Sequence, residues 1–289
     1  MSPSRPHNLP RRLYQRARRR AAAREERSFQ SGLRSDPQAP ALLLSPHWDD
    51  AVLDCWAVLA GRDEVNVVNV FAGVPEPGRL TLWDAITGAE DSAERARERL
   101  AEDALALAAA GRRSIALPFL DTQYRRTGPP ALGKIDRAVT VHVREVSRVY
   151  APAALGSHPD HVLARRYARM LALGGVPVTL YADLPYCILH GWPHWVDGRA
   201  PDPHRNVDAF WLSFLEDVPE MPPLRSAEVV RLTPEQAAAK LAAMQAYRTQ
   251  YPALSYGATG LLDDPALHGF EVRWNLPAPA SASPQPASS

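Results

Sequence analysis

From position 41 onward, short apolar runs alternate with stretches whose apolar residues recur at helical spacing. Ala41–Ser45 predicts a short buried strand and Asp50–Ala60 a helix. Val65–Phe71 is β-branched and strand-like. Ser92–Ala110 predicts a long helix, closed by Gly111. Ser114–Leu117 and Arg148–Ala151 are strand-like, with a predicted helix, Ala131–Val146, between them. His158–Leu173 predicts a helix ended by Gly174-Gly175, and Val178–Tyr181 a strand. Residues 185–233, rich in Pro and Trp, resist assignment; Pro234–Thr249 is helical in pattern and Gly269–Trp274 is a late strand. Strands alternating with helices predict an α/β fold with a mainly parallel sheet covered on both faces.

The ends differ from this middle. Residues 1–40 form a basic extension, with nine arginines and two glutamates in the first thirty positions, and Leu9 to Arg27 has the composition of a basic helix. Such an arm suits nucleic acid or an anionic surface. A solvated tail is the commoner outcome for a terminal charge run, so nucleic acid is not the expected partner. Residues 277–289 are low-complexity and expected to be disordered. The domain is therefore placed at 41–276.

Composition narrows the class. The formal net charge is +1, and 46% of residues are hydrophobic, enough for a core. No run approaches the ~18 apolar residues of a membrane span. The N-terminus lacks the apolar segment of a secretory signal. Two cysteines, Cys55 and Cys187, are too few for a disulfide scaffold or a thiolate zinc site. They are expected to be buried thiols in a cytoplasmic protein. No Gly-x-Gly-x-x-Gly follows the first strand, which argues against a dinucleotide enzyme.

The chemistry-bearing residues fall where strands should end. His47-Trp48-Asp49-Asp50 follows the first strand, and His158-Pro159-Asp160-His161 follows Arg148–Ala151. In a parallel α/β sheet, ligands bind beyond the carboxyl ends of the strands, so the two groups should meet at one rim. Each His pairs with a residue three positions on, a spacing that shares one face of a helical turn. Zinc accepts imidazole nitrogen and carboxylate oxygen, and a catalytic site keeps one position open. Three imidazoles and three carboxylates exceed the ligand requirement. The surplus matches what amide hydrolysis needs: a base for water and an acid for the leaving amine. Residue types alone do not say which histidine is the ligand.

Ser45-Pro46-His47-Trp48-Asp49-Asp50 and Gly156-Ser157-His158-Pro159-Asp160-His161 resemble the paired signatures of the LmbE-like, or PIG-L, zinc-dependent de-N-acetylases. Val67–Gly73, Arg99-x-x-Glu102-Asp103, the stretch Leu117 to Arg125, Asp183-Leu184-Pro185-Tyr186 and Lys240 with Tyr247-x-x-Gln250 resemble further elements of that family. The resemblance implies a Rossmann-like three-layer αβα sandwich and removal of N-acetyl groups from amino sugars or glycoconjugates. It implies zinc, or another divalent first-row metal, on His47, Asp50 and His161. Asp49 becomes the general base. His158 becomes the acid that steadies the oxyanion, its imidazole held by Asp160. Asp121, Tyr124 and Arg125 lie on a loop suited to substrate binding. Trp48 is placed either against a sugar face or in packing beside the metal loop.

The chain departs from the family where Ala51 replaces a common Glu and Cys55 and Trp56 replace glycines. These changes point to a different helix packing or pocket. Arg99 is expected to form an ion pair on its helix face. His190, Trp192, His194 and Trp195 are candidates for a lid or a structural cluster. Two other functions compete: a zinc amidase acting on a different amide, such as a thiol conjugate, and a non-catalytic module binding nucleic acid through the basic N-terminus. The sequence does not identify the substrate or the oligomeric state.

Overall fold

The computed structural model describes residues 20, 22–200, 204–258 and 260–277. In chain order the elements that position the site are β1 (Ala41–Ser45), α1 (Asp50–Asp54), β2 (Val65–Asn69), α2 (Leu82–Ile86), α3 (Ser92–Ala108), β3 (Ser114–Ala116), α4 (Leu132–Thr140) and β4 (Val149–Pro152). Then follow α5 (Pro159–Leu173), β5 (Val178–Tyr181), α6 (Val207–Asp217), β6 (Glu228–Arg231), α7 (Pro234–Met244), α8 (Tyr251–Gly257) and β7 (Phe270–Asn275).

The strands form one seven-stranded sheet in the order β3-β2-β1-β4-β5-β7-β6. The first five in that order pair in parallel, whereas β7 runs antiparallel to both β5 and β6. Leu43 on the central strand β1 faces Val67 of β2 and Tyr150 of β4. Leu42, Leu43 and Leu44 are fully buried, as are Val67, Val68 and Val149. This is why the central strands lack a polar alternation: both faces are covered. The chain runs outward from β1 through β2 to β3, then returns to the other side of β1 as β4. That reversal opens a crevice at the carboxyl ends of β1 and β4.

Several boundaries differ from the expected ones for physical reasons. The helix expected over 50–60 breaks at Cys55 (φ −133°, ψ 35°), and a separate turn, Trp56–Leu59, begins. The Glu271 carboxylate of β7 accepts the N–H groups of Trp56 (2.7 Å) and Ala57 (3.2 Å), capping that second turn from far along the chain. The helix expected over 131–146 stops at Thr140, because Glu145–Val146 pairs in parallel with Arg34–Ser35. Leu33, beside that pair, is buried, and Gly32 N–H donates to Asp136 Oδ2 at 2.9 Å. The helix expected over 234–249 ends at Met244. Within the unassigned 185–233 stretch lie α6 and the edge strand β6. Of the basic helix expected over 9–27, residues 20 and 22–27 are helical, and residues 9–19 and 21 lie outside the described residues. The tail from 278 also lies outside them.

Candidate metal and catalytic site

The turn after β1 is built around Ser45. Its hydroxyl donates to the His47 carbonyl and accepts Ala51 N–H at 3.0 Å. Asp50 Oδ2 accepts the backbone N–H of His47 at 2.7 Å, so this carboxylate is fixed by its own turn. Asp50 Oδ2 also lies 3.4 Å from His47 Nδ1, and Asp50 Oδ1 lies 3.4 Å from His161 Nε2. Ligands held ~2.1 Å from a tetrahedral ion stand about 3.4 Å apart, so each imidazole–Asp50 separation matches a ligand pair, the two running to different oxygens of the one carboxylate.

His161 comes from the first turn of α5. Its Nδ1–H donates to Asp183 Oδ1 at 2.7 Å, so Nε2, which faces Asp50, is the nitrogen free to ligate. Asp183, just past β5, is held in turn by Leu155 N–H at 2.8 Å. A carboxylate behind a ligating imidazole is the usual way a protein orients a metal ligand.

The electrostatics favour a cation at these atoms. Burial pulls the His47 imidazole down, but Asp121, Asp160 and Asp50 outweigh it and raise its pKa to about 10. His161 is likewise raised well above its ordinary value, with Asp50 and Asp183 overcoming burial. Burial pushes Asp50 up, yet His161 and His47 hold it well below the ordinary carboxyl range. A proton or a metal ion satisfies the same demand.

Asp49 lines the adjoining cavity. Burial and the neighbouring Asp50 raise its pKa, with Arg99 and His47 opposing. A raised carboxyl is a better base. His158 caps the N-terminus of α5, its Nδ1 accepting Asp160 N–H at 3.3 Å. That bond assigns the ring proton to Nε2. Its ring centroid lies 4.8 Å from His47 and 5.3 Å from His161. Burial, with His47 and His161 adding to it, lowers its pKa to about 4.

The expected role of Asp160 needs correction. Its carboxylate does not hold the His158 ring. It accepts Thr122 N–H at 2.8 Å, lies 3.3 Å from His47 Nε2, and pairs with Arg125. The one hydrogen bond between Asp160 and His158 is from the Asp160 backbone N–H, and the carboxylate, engaged by the 121–125 loop, acts on the ring only through its charge. Donor atoms of His47, His158 and His161 lie within 4.8 Å of one another, as do those of His47, Asp121, His158 and Asp160. The second group is less suited to an ion, since Arg125 and Thr122 already occupy Asp160.

The cavity beside these groups measures about 470 Å³. Of the residues expected to meet substrate, Asp121 lines it, and Trp48, Tyr124 and Arg125 do not. Trp48 is 1% exposed, packed with Ala72 and Ala96, and lies under the Arg99 guanidinium at 4.9 Å. Tyr124 is buried. Arg125 is spent on Asp160 and the Leu120 carbonyl.

Arg99 is the residue that sequence reasoning undervalued. It lines the cavity at 4% exposure, and its Nε and Nη1 have no hydrogen-bond partner. Instead of the ion pair expected on its helix face, it makes a long one, 3.8 Å from Nη1 to Asp121 Oδ2, with the loop after β3. The available signal was position: Arg99 stands one turn from Ala96 and from Asp103, both on the buried face of α3. Trp83, Tyr186 and Gln250 also line the cavity.

Elsewhere, Ala51, Cys55 and Trp56 pack into the core, so the family departures are absorbed there. Cys187 is a second buried free thiol. Trp192, Trp195 and Trp211 pack together, and His190 meets Phe210 at 4.0 Å, away from this cavity. A larger groove of about 770 Å³ lies at the amino ends of the strands, near Ala41, Val65 and Arg148, without converging imidazoles. Among the described residues, no helix is long and apolar enough to cross a membrane.

Residues 42–172 match the PIG-L family, described as GlcNAc-PI de-N-acetylase. The 2'-N-acetylparomamine deacetylase of Streptomyces fradiae is 33% identical over 188 residues, covering 57% of this chain and 63% of that protein. The chain thus spans less than two thirds of that relative's length. A deacetylase triple mutant from the teicoplanin biosynthetic pathway has 28% identity and a TM-score of 0.62, over 82% of this chain and 97% of that one. The zinc-inhibited form of teicoplanin deacetylase has 26% identity and a TM-score of 0.61, over 82% and 97%.

Proposed function

We propose that the chain is a member of the PIG-L family of de-N-acetylases and, on that footing, a zinc-dependent hydrolase that removes the N-acetyl group of an amino sugar. The substrate class is an N-acetylated sugar or a glycosylated small molecule. The observation that carries this reading is the convergence of His47, Asp50 and His161 beside Asp49 and His158, on one cavity at the carboxyl ends of β1 and β4. We take residues 41–276 as the catalytic unit and the cytoplasm as its compartment, in keeping with two free thiols.

His47, Asp50 and His161 hold the metal. A divalent ion bound there would supply Lewis-acid chemistry, polarising an acetamide carbonyl and acidifying a water. Asp49, a carboxylate of raised pKa on the cavity wall, takes the proton from the attacking water. His158 is neutral at rest, with its proton on Nε2, and donates a hydrogen bond to the carbonyl oxygen as that oxygen gains charge. This replaces the cationic acid expected from the sequence. Asp49 then returns its proton to the departing nitrogen. Asp160 keeps His47 and the 121–125 loop in place. Arg99 and Asp121 offer a donor and an acceptor to sugar hydroxyls.

The test is acetate release from a panel of N-acetyl glycosides and thiol-conjugate amides. Zinc is titrated from substoichiometric levels, because one relative is known in a zinc-inhibited form. Release from amino sugars, abolished by a chelator and restored by metal, is expected. Release from the thiol conjugates alone would overturn the sugar assignment, and no release at any metal level would overturn the hydrolase.

A further inference from the structure

The polar part of the cavity is small, comprising the metal-site residues with Arg99, Asp121, Thr122, Gln123 and Gln250. Much of the remaining wall is apolar, with Leu53, Leu184, Pro185, Leu189 and Leu254. Two short helices frame it. Trp83 of α2 donates its indole N–H to Gln250, the residue before α8, at 2.8 Å. Both residues line the cavity, so α2 and α8 stand side by side at it.

Each helix also turns a large apolar side chain to solvent. Leu82 is 78% exposed, Ile86 61% and Tyr256 88%. Leu82 and Ile86 are four apart and share a face with one another. Tyr256 is three residues beyond Ala253 and adjoins Gly257, both of which line the cavity. Single exposed apolar residues are ordinary on protein surfaces. These three sit on the two elements that border one cavity, each next to a residue that lines it or three positions from one, and none of the three is itself a lining residue. For Leu82 and Ile86 the exposure is not fraying: Thr81 caps α2 and donates to Gln123 at 2.6 Å, and Asp84 is fully buried. The cavity, about 470 Å³, falls in the range that takes drug-sized ligands.

We infer that Leu82, Ile86 and Tyr256 form an apolar rim that binds an alkyl or aryl aglycone joined to the amino sugar. This inference rests on the deacetylase reading for the identity of the sugar. It assigns specificity to the aglycone, and it disfavours a substrate that is polar throughout.

The test uses the unaltered chain with zinc and pairs of glycosides differing only in aglycone. Methyl and hexyl glucosaminides, in both anomers, bind without being turned over, so calorimetry gives Kd directly. Each fully buried methylene contributes a factor of about four. Burial of two of the five extra methylenes therefore makes the better hexyl anomer at least about tenfold tighter. The Leu82→Ser/Ile86→Ser/Tyr256→Ser variant should bring that ratio below about threefold, since little apolar rim remains. Equal binding of the two lengths, or an undiminished ratio in the triple variant, overturns the rim. Acetate release from the corresponding N-acetyl glycosides is scored separately. Its absence defeats the deacetylase reading and leaves the length ratio to decide the rim.

Discussion

His161 donates its Nδ1–H to Asp183 Oδ1 across 2.7 Å, and the two residues reach that contact from different elements, α5 and the end of β5. The bond selects the tautomer that turns Nε2 toward Asp50. Removing the charge should leave the fold intact and loosen the ligand. Asp183→Asn is expected to weaken zinc binding by about 10–100-fold, the usual range for an outer partner of a metal ligand. Competition with a chelator of known affinity measures it. Unchanged affinity would remove Asp183 from the metal site.

Zinc uptake by metal-free protein should release protons. His47, with a pKa of about 10, is protonated near pH 7 without metal, and Asp50 and Asp183 overcome burial to raise His161 above its ordinary value. A ligating imidazole must lose its extra proton, so at least about one proton leaves and affinity climbs as pH rises from 6 to 8. Calorimetry in buffers of different ionisation enthalpy counts them. A count near zero contradicts His47 and His161 as the ligands.

Asp49→Asn should retain the metal and lose turnover by on the order of 10²–10⁴-fold, the range for a general base. Metal content and kcat are measured on the same preparation. Loss of metal recasts Asp49 as a ligand. A near-normal rate with metal present excludes it as the base.

Lys240 is fully buried, and its Nζ lies 2.9 Å from Glu271 Oε1. Glu271→Ala strands that charge and uncaps the Trp56 turn. A loss of about 3–5 kcal/mol is expected in urea unfolding. The double variant Lys240→Met/Glu271→Met should recover a large part of it, because the buried charge is then gone. If the single variant costs under about 1 kcal/mol, the pair is not what secures that turn.

Asp103 makes stability depend on pH. Burial raises its pKa to about 6 despite hydrogen bonds from Ser114, Tyr247 and Asn69. A carboxyl whose folded pKa exceeds its unfolded value stabilises the fold at low pH, and that contribution is lost as pH rises from about 4 through about 6. Wild type should lose up to about 3 kcal/mol across this window. Asp103→Asn should lack that slope. Parallel urea titrations at pH 4.5 and 7.5, with no difference in slope between the two proteins, would discard the assignment.

The sequence by itself determined the strand and helix alternation and the position of both His/Asp motifs, because each is local. The apolar run before His47 forces a buried strand, and the helical pattern after His158 starts a helix whose first turn displays His161. Parallel strands place the residues after them on one edge, so the meeting of the two motifs also followed. Tertiary structure decided what each side chain does there. Asp160 is two residues from His158, yet its carboxylate turns to Arg125 and His47, a choice made by the packing of the 121–125 loop. Trp48 lies within the motif but is buried under Arg99, and Arg99, read as a helix-face charge, lines the cavity. Cys55 breaks its helix because Glu271, 215 residues from Trp56, supplies the cap. Such partners have no local periodicity. Burial and hydrogen bonding select them only once the sheet has brought the distant segments together.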